Sequence, residues 1–492
     1  MNLETLGQAV EGWRTTGLFI EYGLKFIAIG TVPEGRKPAS SSAWLLLILF
    51  IPVVGLPLYL LMGSPVMSRR RHRKQAEAMA HIADVHAGLP DFPARTHANA
   101  DVRSIMRLNR RLTGMPAVDT KVLGFYSEYK ESIAAMTRAV DEACTTVHCE
   151  IYILAWDDTT NEFFEALARA KQRGVEVRLL FDQVGSWKYP GYYKLGRRLN
   201  SIGIEWHLTM PLAPWRWRFR RPDLRNHRKL LVVDGKRAFM GSQNMIDSSY
   251  LQRKNLRIGR HWVDCMVEVS GPAAESLNMV FATDWYLEAG ELLDVPAVHH
   301  PEVAHNLPDD SVVQLVPSGP GILTEPNLRM FVSLIHEAKE HIILCSPYFV
   351  PDESLLEAIT TACYRGVRVD LLVNEQADQF IVGHSQSSYY TALLGAGVHI
   401  HRYPAPMVLH SKFMIFDGRI AAMGSSNMDM RSFGLNYEIT MMVIQGELIA
   451  TLTDLAVTYM EASKELTSEE WAKRPLSRRY VDNAMRLVSG LL

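Results

Sequence analysis

Apolar positions in this chain alternate between two periods, and the whole alternation then occurs a second time. CEIYILAW (149–156) reads as a strand, NEFFEALARAKQRG (161–174) as an amphipathic helix, and VEVRLLFD (175–182) as a second strand. The same succession returns as HIILCSPYFV (341–350), ESLLEAITTACYRG (353–366) and VRVDLLVN (367–374). Gly174 and Gly366 close the two helices at the same place, where a left-handed residue must precede the next strand. LNSIGIEWH (199–207) and LLGAGVHIH (393–401) add a third matching piece, again a helix end and a strand. Strand–helix–strand units of this kind predict a largely parallel sheet flanked by helices. The internal repeat of roughly 190 residues covers most of 120–460.

Residues 43–62, AWLLLILFIPVVGLPLYLLM, carry no charge. As one helix they would reach about 30 Å, enough to cross a bilayer. Pro52, Gly55 and Pro57 sit in the middle, so a kinked or re-entrant hairpin competes with a straight span. The earlier apolar stretch 17–32 holds Glu21 and Lys25, four apart and able to pair on one helix face, which suits an interfacial helix as well as a span. Arg69-Arg70-Arg71-His72-Arg73-Lys74 follows directly, so positive charge beside the span predicts that the rest of the chain is cytoplasmic. This cluster is also expected to attract anionic lipid headgroups. The following polar stretch (GLPDFPARTHANAD, 88–101) reads as a connector. The expected organisation is a membrane region at 1–64, a basic and polar linker at 65–115, and two halves at 116–295 and 296–492. The terminal helix, with Leu476, Tyr480, Ala484, Leu487 and Leu491 on one face, is expected to pack that face on the body.

The net charge of −1 gives no global attraction to polyanions, so any such preference must be local. Five cysteines, odd in number and without C-x2-C spacing, point to reduced buried thiols.

The chemistry is concentrated in a pattern that occurs twice at identical spacing. The first copy is His227-x-Lys229-x4-Asp234-x6-Gly241-Ser242-x-Asn244, and the second is His410-x-Lys412-x4-Asp417-x6-Gly424-Ser425-x-Asn427. Six fixed residues match by chance about once in 10⁷–10⁸ positions. Each histidine and lysine, two apart, share one face of a strand. Asp-Gly then makes a hairpin turn, and each aspartate is either turn chemistry or a group that orients a neighbour. Gly241 and Gly424 are expected to let a phosphate approach the backbone, with Ser242, Asn244, Ser425 and Asn427 as its donors at a helix start. One histidine attacks phosphorus while the other protonates the departing alkoxide. The lysines and asparagines are expected to stabilise the equatorial oxygens in place of a metal, so no metal and no cofactor are expected. Asp264 (HWVDCMVEV) and Glu438 (LNYEIT) follow the motifs on equivalent strands and are the candidates to orient the imidazoles.

On these residues the chain resembles the phospholipase D superfamily with paired His-Lys-Asp motifs, and more narrowly the bacterial cardiolipin synthases. The likeness extends to RNHRKLLVVDG, SPYFVPDESLLEA, LHSKFMIFDG, GSSNMDMRSFGLNYE and RKPASSSAWLLLILFIPVVGLPLYLLMG, about nine-tenths of the chain. The first apolar segment departs from it, being shorter and more charged than a family-type first span. The resemblance implies an α/β fold. Its core would be a duplicated phospholipase D-like unit of two mixed, largely parallel sheets flanked by helices and related by a pseudo-twofold, after an N-terminal membrane segment of one or two apolar helices. It implies that two phosphatidylglycerols give cardiolipin and glycerol at the inner cell membrane. His227 would be the nucleophile and His410 the proton donor, although both intact copies leave that order open on the residues alone.

Phosphatidylglycerol, cardiolipin and anionic membrane lipid are thus the expected partners, nucleic acid is not, and a homo-oligomer is left open. Trp215-Arg216-Trp217-Arg218-Phe219-Arg220-Arg221 alternates aromatic and basic residues, which suits lipid headgroups, single-stranded nucleic acid or a solvated strand. A hydrolytic or headgroup-exchanging phospholipase D, a nuclease of the same superfamily and a non-catalytic scaffold are the competing readings.

Overall fold

A computed structural model of the chain describes residues 3–34, 36, 38–63, 69–213, 218–219, 221–295, 310–322 and 324–488. Most of the aromatic and basic run at 215–221 therefore lies outside the described residues.

Among the described residues the two repeats build one sixteen-stranded mixed sheet. Outward from the middle, the first half contributes Ala117–Tyr126, Met266–Ser270, Arg237–Gly241, Lys229–Val233, Thr146–Ile151, Glu176–Asp182 and Glu205–Thr209. The second half contributes Asp310–Ser318, Asn436–Gln445, Ile420–Gly424, Phe413–Phe416, His341–Cys345, Arg368–Asn374 and His399–Tyr403 in the same order. The seam is the antiparallel pair Ala117–Tyr126 and Asp310–Ser318. The expectation of two separate, largely parallel sheets is therefore corrected. Parallel pairing in each half is concentrated in three strands towards the edge, which helices connect; in the second half Lys464–Leu466 adds an antiparallel strand outside them. The motif strands are joined by three-residue loops, 234–236 and 417–419, and run antiparallel.

The helices Asn161–Gln172 and Glu353–Tyr364 form where the apolar spacing places them, and Gly174 and Gly366 follow at φ +88° and +89°. The strands Lys229–Val233 and Phe413–Phe416 are buried along their whole length, as expected of apolar runs covered on both faces. Helix Pro272–Ala289 packs over the first half's strands and is buried on almost every side.

Near the N-terminus, the uncharged run breaks into helices Pro38–Phe50 and Pro52–Leu58 and a π-turn Tyr59–Gly63. Pro52 lacks an N–H to continue the first helix, and Ile51 leaves helical geometry at φ −132°, ψ 64°. The two helices then fold close together: a Cβ on Gly55 would lie 2.5 Å from the Leu47 carbonyl oxygen. Among the described residues no helix is long and apolar enough to cross a membrane. Phe19, Phe26, Phe50, Val53 and Leu60 nonetheless face outward. Glu21 and Lys25 pair at 2.6 Å, as their spacing anticipates.

Residues 65–115, read as a polar linker, carry the helices Arg69–Val85 and Ala100–Thr113. The basic cluster is partly turned inward. Arg71 is buried against Glu288 at 2.8 Å, and Lys74 donates to the Tyr286 carbonyl at 3.2 Å. The terminal helix Leu476–Val488 reverses its expected orientation. Asp482 is buried between His384 (2.7 Å) and Arg474 (3.2 Å), which leaves Leu476, Tyr480 and Leu487 exposed on the far side; Leu491 lies outside the described residues. The polar face is the side set against the body: Asp482 meets His384, the Ser385 hydroxyl donates to the Met485 carbonyl at 3.0 Å, and Arg486 lies over the Tyr389 ring.

Candidate active site

Each motif begins just before its strand. The segments Arg225–Asn226 and Val408–Leu409 run parallel to Asn436–Tyr437 and Trp262–Val263 of the opposite half. The amide of His227 donates to the Tyr437 carbonyl at 2.9 Å, and that of His410 to Val263 at 2.7 Å. Each histidine is thus set one residue from the carboxylate of the other half. His410 Nδ1 donates to Asp264 at 2.7 Å. His227 Nδ1 faces both oxygens of Glu438 at 3.1 Å and the Ser425 carbonyl at 3.1 Å. A carboxylate on Nδ1 fixes the tautomer that leaves Nε2 as the available nitrogen. The orienting pairs therefore cross the seam, which the order along the sequence does not reveal.

Gly241 and Gly424 have a different use from the one expected. A Cβ at either would stand 2.2 Å from a carbonyl oxygen, that of Cys265 or Ile439. The glycines admit the neighbouring strand that carries Asp264 or Glu438. Ser242 and Ser425 complete this contact, so their assignment as phosphate donors is corrected. The Ser242 hydroxyl donates to Asp264 at 2.6 Å, the Ser425 hydroxyl to Glu438 at 2.5 Å, and both serines are fully buried.

Asp234 and Asp417 are not brought to the histidines. They occupy the hairpin turns at φ +54° and +52°, followed by Gly235 at +66° and Gly418 at +61°. Asp234 accepts from the amides of Cys144, Thr145 and Thr146, and Asp417 from those of Lys339, Glu340 and His341. Both fasten the start of the strand beside their own hairpin. Burial opposes their charge, but the amide donors hold both carboxyls below the usual range.

Lys229 and Lys412 are buried, and each donates to the carbonyl of its own histidine at 2.5 Å. Asn244 accepts from the Ile153 amide at 3.1 Å and donates to the Tyr250 hydroxyl at 2.8 Å. Asn244 and Asn427 line, with both histidines, one cavity of about 560 Å³. In the first copy no helix starts after Asn244, whereas in the second Asp429 caps the short helix Met430–Gly434.

Four further residues belong here and were not singled out from the sequence. Tyr152 sits edge-on to His227 with ring centroids 4.7 Å apart, and Tyr348 to His410 at 6.5 Å. Asp182 accepts from the Asn226 amide at 3.1 Å, and Asn374 from the Leu409 amide at 2.7 Å, fixing the peptide before each histidine. The repeat held the signal: both tyrosines stand three residues after a cysteine, and Asp182 and Asn374 end the matching strands.

The two histidines differ electrostatically. Burial, then Lys229, Lys412 and His410, drives the His227 imidazolium well below its usual range. Its partner Glu438 is pushed up to about 7 by burial, so this pair tends to neutrality. Burial also lowers His410, but here the Asp264 carboxylate opposes it. Burial works against Asp264 too, yet His410, Lys412 and Ser242 hold it ionised below the usual range. Burial brings Lys412 down to about 8 and Lys229 well below its ordinary value. Among the described residues no three His, Cys, Asp or Glu side chains gather as a metal site.

The family described as "Cardiolipin synthase, PLD-like domain" matches residues 136–285 and 331–456, which contain both motifs and both carboxylates. The chain belongs to this family. The phospholipase D-nuclease N-terminal family matches residues 24–64. The chain is 34% identical to a cardiolipin synthase of Halalkalibacterium halodurans over 98% of its own length and 95% of that protein's. It is 30% identical to cardiolipin synthase A of Proteus mirabilis, over 93% and 94%. Among solved structures, a phosphatidylserine synthase of Haemophilus influenzae Rd KW20 superposes with a TM-score of 0.58 at 16% identity. That likeness covers 80% of this chain and all of the other, and it shows the fold of the family.

Proposed function

We propose that this cardiolipin synthase-family enzyme joins two phosphatidylglycerols in a double displacement at the shared cavity, with His227 as nucleophile and His410 as acid and then base. Neutral Nε2 of His227 attacks the phosphorus of the first lipid, and the phosphorus–oxygen bond to the headgroup glycerol breaks. His410 gives its proton to the departing alkoxide, releasing glycerol and leaving a phosphatidyl group on His227. A headgroup hydroxyl of a second phosphatidylglycerol loses its proton to His410 and attacks that phosphorus. The bond to His227 breaks and cardiolipin leaves. One phosphodiester is broken for each one formed, so the reaction needs no nucleotide.

The observation that carries this order is the unequal pairing of the histidines. Burial disfavours both imidazoliums, but the ionised carboxylate on His410 opposes it, so His410 is the ring assigned the proton. A carboxyl near neutrality on His227 leaves that ring uncharged and able to attack. Lys229, Lys412, Asn244 and Asn427 are assigned to the phosphate oxygens, where fixed donors in a buried site oppose the charge of the transition state.

The exposed apolar side chains of the N-terminal helices support a seat in the inner cell membrane. The basic run at 69–74 supports a cytoplasmic position for the catalytic halves. The test is a product assay with headgroup-labelled phosphatidylglycerol in vesicles and the full chain. One glycerol should appear for each cardiolipin; phosphatidic acid as the main product would contradict the reading.

A further inference from the structure

We propose that the mouth of the catalytic cavity is a docking surface for an anionic phospholipid bilayer, built by Trp187–Lys188, the helix Arg253–Ile258 and the first turn of the helix Phe380–Ala396. The inference rests on the phospholipid reaction proposed above and names the surface through which its substrates arrive.

The histidines lie at the bottom of the cavity, 7% and 4% exposed. A space of about 560 Å³ suits a drug-sized ligand. It admits headgroups and leaves the acyl chains of two lipids outside. The mouth must therefore meet the bilayer, or the chains must cross water.

Each of the three segments has an inner and an outer side. Lys188, Lys254, Gln379 and Val382 line the cavity. Their neighbours face out as large apolar groups: Trp187 is 50% exposed, Leu256 57%, Ile258 37%, Phe380 66% and Ile381 43%. Burying these groups in hydrocarbon would remove apolar surface from water at the point where the lipids enter.

The helix Arg253–Ile258 (RKNLRI) carries Arg253, Lys254 and Arg257 beside Leu256 and Ile258, with no acid. Basic and apolar side chains together are the composition of an interfacial element. A second copy of the chain is a poorer occupant, because a two-fold contact sets this basic patch against itself. An anionic lipid surface complements it.

The test uses the full chain reconstituted in phosphatidylglycerol-containing vesicles and a Leu256→Glu/Ile258→Glu double variant. Turnover of bilayer phosphatidylglycerol should fall at least tenfold, while turnover of short-chain phosphatidylglycerol, dissolved as monomers, stays within twofold of the parent. Unchanged vesicle turnover overturns the inference. Equal loss on both substrates also overturns it, since the helix would then act on the cavity and not on docking.

A second measurement is independent of turnover. With Cys144→Ser and Cys363→Ser, an environment-sensitive fluorophore on Leu256→Cys should shift to the blue and be quenched by doxyl-labelled lipid. A blue shift without lipid quenching means that protein covers the rim, and no shift means that nothing does; either result overturns docking. Quenching together with failure to form cardiolipin from either substrate would sink the proposed reaction and leave the docking surface standing.

Discussion

Asp264, from the first half of the chain, holds Nδ1 of His410, from the second half, at 2.7 Å. Glu438 holds His227 in the reverse direction at 3.1 Å. Neither half pairs its own motif histidine with a carboxylate of its own, so the site exists only when both repeats share one sheet.

The two carboxylates should not be equivalent. Asp264 is ionised and is assigned to the histidine that must carry a proton, so Asp264→Asn should lower kcat about 10³-fold. Glu438, pushed up to about 7 by burial, is only about half ionised at pH 7. Glu438→Gln should therefore cost only about 10–10²-fold. Steady-state turnover of both variants at pH 7 checks this, and equal losses would remove the asymmetry.

Gly241→Ala and Gly424→Ala should act on the scaffold. The added methyl meets a carbonyl oxygen at 2.2 Å in a buried sheet, where neither backbone can give way cheaply. Each substitution should destabilise by about 1–3 kcal/mol. Thermal unfolding reads that loss.

Asp234→Ala and Asp417→Ala should lower stability while active protein keeps kcat within a few-fold. Each loses a carboxylate that accepts three backbone amides, a cost of about 1–3 kcal/mol. Because the folded carboxyls lie below the usual range, their stabilisation is complete above pH about 4 and disappears as pH falls through the folded value. Unfolding midpoints measured from pH 7 down to 3 should converge on those of the variants.

Activity should also fall on the alkaline side. Burial disfavours the Lys412 ammonium and brings its pKa to about 8, so the charge is present below that pH and lost above it. A kcat–pH profile should bend downward near pH 8. A flat profile to pH 10 would mean that the charge on Lys412 is not needed.

The helices Asn161–Gln172 and Glu353–Tyr364, the Asp-Gly hairpins and the pairing of equivalent strands were legible because local periodicity and turn chemistry set them. The crossed pairing of His227 with Glu438 and of His410 with Asp264 was not legible. It depends on the seam between Ala117–Tyr126 and Asp310–Ser318, a non-local contact without a sequence period. Ser242 and Ser425 were misread for a related reason: their carboxylate partners come from a strand whose distance only Gly241 and Gly424 determine. The helix Leu476–Val488 shows the limit of amphipathic reasoning, since Asp482, hydrogen-bonded to His384, and Arg486 over Tyr389 place the polar face inward and leave the apolar stripe outside.

The central claim is that His227 forms the covalent intermediate while His410 moves protons. It is tested most directly by giving His410→Ala and His227→Ala a phosphatidyl-p-nitrophenol substrate, whose leaving group needs no acid. His410→Ala should release one equivalent of nitrophenol in a burst and carry a phosphatidyl adduct mapped to His227, whereas His227→Ala should give neither. A burst from His227→Ala with the adduct on His410 would contradict the account.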